Sequence, residues 1–458
     1  MRAKRLSAFF LALFLTVSLA LSICVPAQAI EKMEVAARAA LLLDPDTGEV
    51  LHTQNIHDRL PPASLTKIMT ALLVLEAVDD GRLALDTVLT ASASAIDAVP
   101  PEGSNAAIKA GDAHTVDTLL KCAMVASANE ACNILAEALD GSIEGFVARM
   151  NAKAEDLGCT NTHFVTTNGL PDDDHYTTAW DLYLIIQEAM EHEDFMPLCD
   201  TRHFTKPATD QSPARTYYTT NLLLSPYRAA GYVYSAAHGI KTGYTSKAGN
   251  CLASTATKGG RSLLGIVLGA ETVKLENGGS QNQSFTEMVR LFEWGFQSFS
   301  RQTLLTGREL LQEVKVELSE VGQVVVKPER GVERLLPVDL PPEEVEREIV
   351  IYQEPIDAPV SEGDVLGELT LRDGDTIYAT VPLLANSSVE ASRLLVFRRQ
   401  ALAFLSQKKV WYIAGAAAAA IVILSVGIHL WTKCRRQNRH NKHTYNAYSG
   451  SNYRGRRR

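Results

Sequence analysis

Val410 to Trp431 is a run of 22 residues without Asp, Glu, Lys or Arg, and Trp411, Tyr412 and Trp431 mark its two ends. A helix of that length spans a hydrocarbon core of ~30 Å, and Trp and Tyr favour the interfaces on either side. The chain is therefore expected to cross a membrane at 410–431, and the Ala401 to Val410 segment before it reads as an outward continuation of the same helix. The tail 432–458 carries nine Lys or Arg and no acid, which by the positive-inside bias belongs in the cytoplasm. Residues 1–29 open on Arg2, Lys4 and Arg5, run apolar from Leu6 to Val25, and end on Ala27-Gln28-Ala29. That is the layout of a secretory signal peptide cut after Ala29. Ile23 is too bulky for a lipoprotein site at Cys24. The body of the chain is thus expected outside the cell, held by a single-pass anchor.

Composition narrows what that body does. Of 44 basic residues, 12 lie in the signal and tail, which leaves 32 to face all 53 acids and a net charge near −21. Such a domain is a poor partner for nucleic acid. Cys122, Cys132, Cys159, Cys199 and Cys251 are odd in number and make no close Cys/His cluster, so neither zinc nor a disulfide scaffold is expected. They read as buried apolar side chains, with one bonded pair left open. No metal or cofactor is called for.

Roughly 380 residues outside suffice for two domains. In 33–297, Ala39 to Asp44 and Glu49 to His52 flank a Pro45–Gly48 turn and read as a hairpin. Helical patterns follow at 64–78, 115–127, 130–139, 142–157 and 178–191. Cys251 to Thr257 and Leu263 to Ala270 form a second hairpin, and a helix runs from about Ser284 to Trp294. Hairpins around a helical middle predict an α+β fold, an antiparallel sheet covered by helices. The stretch 303–395 reads as a small all-β domain, with strands at Val321 to Lys327, Val332 to Leu336, Glu346 to Tyr352 and Tyr378 to Leu384, and turns at 362–364 and 373–375 dividing the rest. It holds no residue set with chemistry, and reads as a spacer or docking surface.

The chemistry starts at Ser64-Leu65-Thr66-Lys67, before the apolar run Ile68 to Leu75. A helix start built for stability places Glu or Gln three residues after the cap, and a cation there opposes the helix dipole. The run is apolar nearly all round, so the helix is expected to be buried with an ammonium on its first turn. A buried lysine one turn from a serine suits a base beside a nucleophile, although Ser-x-x-Lys alone is weak evidence. Two more segments strengthen it. Ser127-Ala128-Asn129 ends a helix-like run, and Lys241-Thr242-Gly243 enters what reads as an edge strand beside a cleft.

Together, in this order, the three segments match the Ser-x-x-Lys, Ser-x-Asn and Lys-Thr-Gly signature of serine enzymes that react with penicillin. The region 34–297 resembles the D-alanyl-D-alanine carboxypeptidases among the low-molecular-mass penicillin-binding proteins. The likeness extends through Asn161 to Phe164, Gly169-Leu170-Pro171, His175 to Ala179 and Lys241 to Gly249. The resemblance implies a β-lactamase/transpeptidase-like domain that removes the terminal D-alanine from peptidoglycan stem peptides and is trapped covalently by β-lactam antibiotics. By it, Ser64 attacks the penultimate carbonyl and Lys67 is its base. Ser127 hands a proton to the leaving D-alanine, and Asn129 binds substrate backbone and orients Lys67. Lys241 and Thr242 suit the terminal carboxylate, Gly243 lets substrate lie close, and the N–H groups of Ser64 and Tyr244 form the oxyanion hole.

Some residues depart from the pattern. His238 stands where relatives often have an acid, or is merely a solvated turn residue. Tyr244 replaces a frequent histidine, and Thr167-Asn168-Gly169-Leu170 replaces Pro-His-Gly-Leu. These changes leave the groups assigned to bond making untouched. A class A-like β-lactamase would need a Glu-x-x-Leu-Asn segment between Asn129 and Lys241, and none is convincing. A peptidoglycan D,D-endopeptidase shares all the acylation groups, and a non-catalytic wall-binding protein would need none of them. Protein partners are not legible.

Overall fold

The computed structural model describes residues 33–448, so the signal-peptide reading of 1–29 and the end of the basic tail lie outside the described residues. The chain divides into two compact units. The first runs to Gln302 and includes Leu335–Pro341, and the second holds Thr303–Arg334 and the chain from Pro342 onward.

Strands β1 (Ala39–Leu43) and β2 (Val50–Gln54), joined to β3 (Ala237–Thr245), β4 (Gly249–Lys258) and β5 (Arg261–Ala270), form the five-stranded sheet of the first unit. Its order is β2-β1-β5-β4-β3. Every pairing is antiparallel, with Leu42 opposite His52 on one side and Gly265 on the other. All five residues of β1 are buried. A strand covered on both faces needs an unbroken apolar run in place of alternation, and Ala39-Ala40-Leu41-Leu42-Leu43 supplies one. Leu41 and Leu43 join a core with Ile68, Leu72 and Leu135. Ala40 and Leu42 join another with Met288 and Phe292.

The first core is built from helices α1 (Lys67–Asp79), α2 (Val116–Met124), α3 (Asn129–Asp140), α4 (Ile143–Asp156) and α5 (Ala179–Met190); the second uses α6 (Gln283–Ser298). Helix α1 is buried without a break from Lys67 to Leu75, as its all-round apolar sequence demands. Thr115 caps α2 and Thr178 caps α5, each accepting a backbone N–H through its side chain. The α+β expectation holds, with each strand and helix expected for this unit present to within a few residues. Two details differ. Residues 63–66 form a 3-10 turn before α1, with Ala63 at a φ of 49°. A hairpin of His203–Lys206 with Arg215–Tyr218 was not legible, because each arm is only four residues long and mostly exposed.

In the second unit, six strands form one sheet in the order Glu346–Ile351, Val365–Asp373, Thr376–Ala385, Gln323–Pro328, Gln312–Glu317 and Ile356–Asp357. The all-β expectation holds there, although Val365–Asp373 and Gln312–Glu317 are strands that the sequence reading passed over. Helix Arg393–Leu405 follows, and then Lys408–Tyr448. The expected continuous helix through Ala401 to Val410 is a correction. The chain breaks at Ser406 and Gln407, where the Ser406 hydroxyl donates to the Ala403 carbonyl and a new helix starts. Within that helix Lys408–Arg436 is long and apolar enough to cross a membrane, with an 18-residue window of mean hydropathy 2.2.

Candidate active site

The turn Ala63–Thr66 delivers Ser64 half-buried, and α1 begins at Lys67. Lys67 is fully buried, and its Nζ donates to Ser64 Oγ at 2.8 Å, to Asn129 Oδ1 at 2.8 Å and to the Asn168 carbonyl at 2.7 Å. Three donors thus meet three acceptors from three parts of the chain. Burial pushes Lys67 down to about 8, with Glu130 among the nearby groups pulling the other way. Near neutral pH a fraction of Lys67 is then without its third proton, and its lone pair can take the proton of the Ser64 hydroxyl.

Two supports hold this turn. His175 Nδ1 accepts from the backbone N–H of Val165 at 3.0 Å and Thr166 at 3.2 Å, so Nε2 carries the ring proton and donates to Thr66 Oγ1 at 2.8 Å. The Thr66 hydroxyl in turn donates to the Ala63 carbonyl at 2.9 Å. Burial drives His175 down to about 4, which keeps it neutral in this role. Gly169, at a φ of 87°, lies so close that a Cβ there would stand 1.8 Å from the Ala63 carbonyl oxygen. Glycine is obligatory at this contact.

Ser127 precedes α3 with a φ of 62°, and Asn129 is the first residue of that helix. The Asn129 N–H donates to the Ser104 carbonyl at 2.9 Å. Beside it Glu130 is buried, and its Oε1 accepts from Ala106 N at 2.6 Å and Ile108 N at 3.4 Å. The 104–108 segment is thereby tied to the start of α3.

Strand β3 is the edge strand beside the cleft, as expected for Lys241-Thr242-Gly243. Gly243 lies directly on the nucleophile turn, where a Cβ would come 3.0 Å from both Pro62 O and Ser64 N. Lys241 is buried, and its Nζ donates to Ser127 Oγ at 3.1 Å and to the Thr242 carbonyl at 3.0 Å. Burial, then the charge of Lys67, push it well below the ordinary lysine range. Thr242 Oγ1 donates to Thr220 Oγ1 at 2.6 Å, and Tyr244 is exposed at the rim. His238 lies within the strand, not in a turn, 3.3 Å from Asp200 and half-exposed.

Ser64, Ser127, Thr242, Gly243 and Tyr244 line one cavity of about 370 Å³, while Asn129, Lys67 and Lys241 support its floor through the bonds above. All eight expected site residues therefore converge. Sequence reasoning missed the Asn168 carbonyl, His175, Glu130 and Thr220. The segment 167–170, read as remote from bond making, touches Lys67 directly. Among the described residues no group of His, Cys, Asp or Glu could hold a metal ion. The cysteines at 122, 132, 159, 199 and 251 are buried free thiols.

An antiparallel sheet whose edge strand faces a Ser-x-x-Lys turn and a Ser-x-Asn loop across one cavity defines a class, the serine enzymes that transfer acyl groups on this framework. The comparisons narrow it. Residues 26–272 match the D-alanyl-D-alanine carboxypeptidase family, and 299–391 match the C-terminal domain of penicillin-binding protein 5. D-alanyl-D-alanine carboxypeptidase DacF of Bacillus subtilis is 30% identical over 368 residues, 80% of this chain and 89% of the relative. DacC of Escherichia coli is also 30% identical, over 79% of this chain and 86% of its own length. The crystal structure of penicillin binding protein 6B from Escherichia coli superimposes with a TM-score of 0.60 at 28% identity, covering 79% of this chain and 99% of that one. The chain belongs to the D-alanyl-D-alanine carboxypeptidase family.

Proposed function

We propose that this protein is a serine-type D-Ala-D-Ala carboxypeptidase that removes the terminal D-alanine from peptidoglycan pentapeptide stems through an acyl-enzyme on Ser64. The observation that carries this reading is the three-acceptor setting of Lys67, which leaves Ser64 Oγ 2.8 Å from an amine whose pKa burial has brought to about 8. Neutral Lys67 takes the Ser64 proton as Oγ adds to the penultimate carbonyl. The N–H groups of Ser64 and Tyr244 receive the oxyanion, each donor being worth about 3 kcal/mol in the transition state. As the C–N bond breaks, Ser127 relays a proton to the departing amine, and the proton on Lys67 makes good that loss. Water then repeats the sequence on the ester and frees Ser64. Asn129 holds Lys67 and the substrate backbone, while Gly243 lets the substrate lie along β3.

The cavity lining supports hydrolysis of a wall peptide over β-lactamase chemistry, since no carboxylate among the described residues lines it to activate water. β-Lactams would acylate Ser64 and remain as covalent adducts. Residues 33–297 serve as the catalytic domain and 303–395 as the β domain. The segment 410–431 spans the cell membrane, with the catalytic domain outside and the tail 432–458 in the cytoplasm, as the charge bias supports. The test is to incubate the protein with a muropeptide ending in D-Ala-D-Ala and follow free D-alanine by mass, beside Ser64→Ala. Release by the parent alone is expected. No release by folded protein overturns the activity, and release that survives the substitution overturns the nucleophile.

A further inference from the structure

The bonds of Lys241 leave a question about charge. A carboxypeptidase has to recognise a free terminal carboxylate, yet Lys241 is buried and already donates to Ser127 Oγ and to the Thr242 carbonyl. Another cation lies in the open part of the cleft. Arg228 lines the same cavity as Ser64, Thr242 and Tyr244, and it is the one charged side chain among the described residues that do so. It is exposed, and no acid among the described residues stands within ion-pair distance of it.

Its loop is built to hold it there. The stretch from Leu223 to Tyr234 is closed at its base by the Tyr234 N–H donating to the Leu223 carbonyl at 3.0 Å. The neighbouring Tyr227 ring packs on Tyr218 of the short hairpin, with ring centroids 4.6 Å apart. A compact loop closed at its ends and pinned by its own side chain is a common carrier of function. A guanidinium offers a planar fork that matches a carboxylate with two parallel hydrogen bonds. An arginine without a partner in the free protein spends none of that capacity on the protein itself.

We infer that Arg228 recognises the free carboxylate of the terminal D-alanine, so that this loop, more than Lys241, makes the enzyme select the last residue of a stem. The inference rests on the carboxypeptidase reading above. Thr242 and Thr220, which hydrogen-bond to each other in the free protein, are the hydroxyls on the same cavity wall that complete the site.

The test uses the full chain in detergent with Arg228→Gln and Arg228→Lys. D-alanine release from an acyl-D-Ala-D-Ala peptide is measured beside acylation by benzylpenicillin and by its methyl ester, the adducts read by intact mass. Arg228→Gln is expected to lower kcat/KM for the peptide acid about 10- to 100-fold and to slow benzylpenicillin, while leaving the methyl ester unchanged. Arg228→Lys should fall between, because it keeps the charge and loses the fork. Arg228 is exposed and bonds to no other described side chain, so its variants should melt as the parent does. Equal losses on acid and ester, or no loss on either, would overturn the inference while adduct formation still upheld the reading of the site. A parent protein that releases no D-alanine and forms no adduct would sink the carboxypeptidase reading, and this inference with it.

Discussion

Two lysines, Lys67 and Lys241, lie 174 residues apart in sequence and reach the same cleft. Lys67 arrives on a buried helix start and Lys241 on an edge strand; both are buried, and each donates to a serine hydroxyl. Their remaining bonds differ. Lys67 is held by Asn129 and the Asn168 carbonyl, which come from separate parts of the fold, whereas Lys241 bonds to the carbonyl of the residue that follows it. Removing a lysine from water costs more than either set of bonds returns, so both pKa values fall. Lys67 falls only to about 8, and thus can hold a proton or release it within the working range. Lys241 is pushed well below the ordinary lysine range by burial and by the charge of Lys67, and it bonds to Ser127, not to Ser64. Burial alone therefore does not make a base, and the hydroxyl each buried lysine faces decides which of them serves the nucleophile.

Substituting the two lysines tests that difference first. Lys67→Met should slow acylation by benzylpenicillin about 10³-fold, since a positioned base contributes roughly 10²–10⁴. Lys241→Met should cost about 10-fold to 100-fold, by loosening Ser127. In the parent, acylation should rise about tenfold per pH unit below 8 and level off above it, as Lys67 loses its proton. This limb should survive in Lys241→Met and vanish in Lys67→Met. The reverse pattern in stopped-flow rates would exchange the roles.

The supports of the Ser64 turn give the next largest effects. Gly169→Ala forces a Cβ into the Ala63 carbonyl at a positive φ, and should cost about 3 kcal/mol in denaturant unfolding together with a loss of kcat. His175 is neutral and buried, with its folded pKa of about 4 below the ordinary 6.5. The unfolded chain therefore binds a proton that the folded one refuses as the pH falls from 6.5 to 4. Stability from this residue is complete above 6.5, and up to about 3 kcal/mol should be lost across that window. His175→Gln should flatten this part of the stability profile. The smallest effect is expected at Glu130. Its charge raises the pKa of Lys67, so Glu130→Gln should move the acylation limb to lower pH; a move to higher pH would contradict this account of Lys67.

Seven of the eight site residues were legible because Ser-x-x-Lys, Ser-x-Asn and Lys-Thr-Gly together carry chemistry that an ordinary helix start or edge strand does not need, while Tyr244 came only through the family resemblance. Lys67 stood out by being wrong for a cap. What stayed hidden has physical causes. The Asn168 carbonyl is backbone and leaves no mark on residue type. His175 acts through Thr66 on Ala63, a link made by folding across more than a hundred residues. The 3-10 turn depends on Ala63 at a positive φ, which alanine gives no reason to expect. Val365–Asp373 was missed because Gly367 interrupts its apolar pattern, while the fold needs glycine where a Cβ would meet Val350 O at 2.3 Å. The helix break at Ser406 was masked by apolar residues on both sides, which fit one long helix as well as two.

The central claim is that Ser64 is the atom acylated, served by Lys67. The most direct measurement is peptide mapping by mass after exposure to benzylpenicillin, for the parent and for Ser64→Ala with matching circular dichroism. The account predicts one added penicilloyl group on the peptide that contains Ser64, and none on the folded variant. An adduct on another residue, or one that persists at the same rate without Ser64, would contradict it.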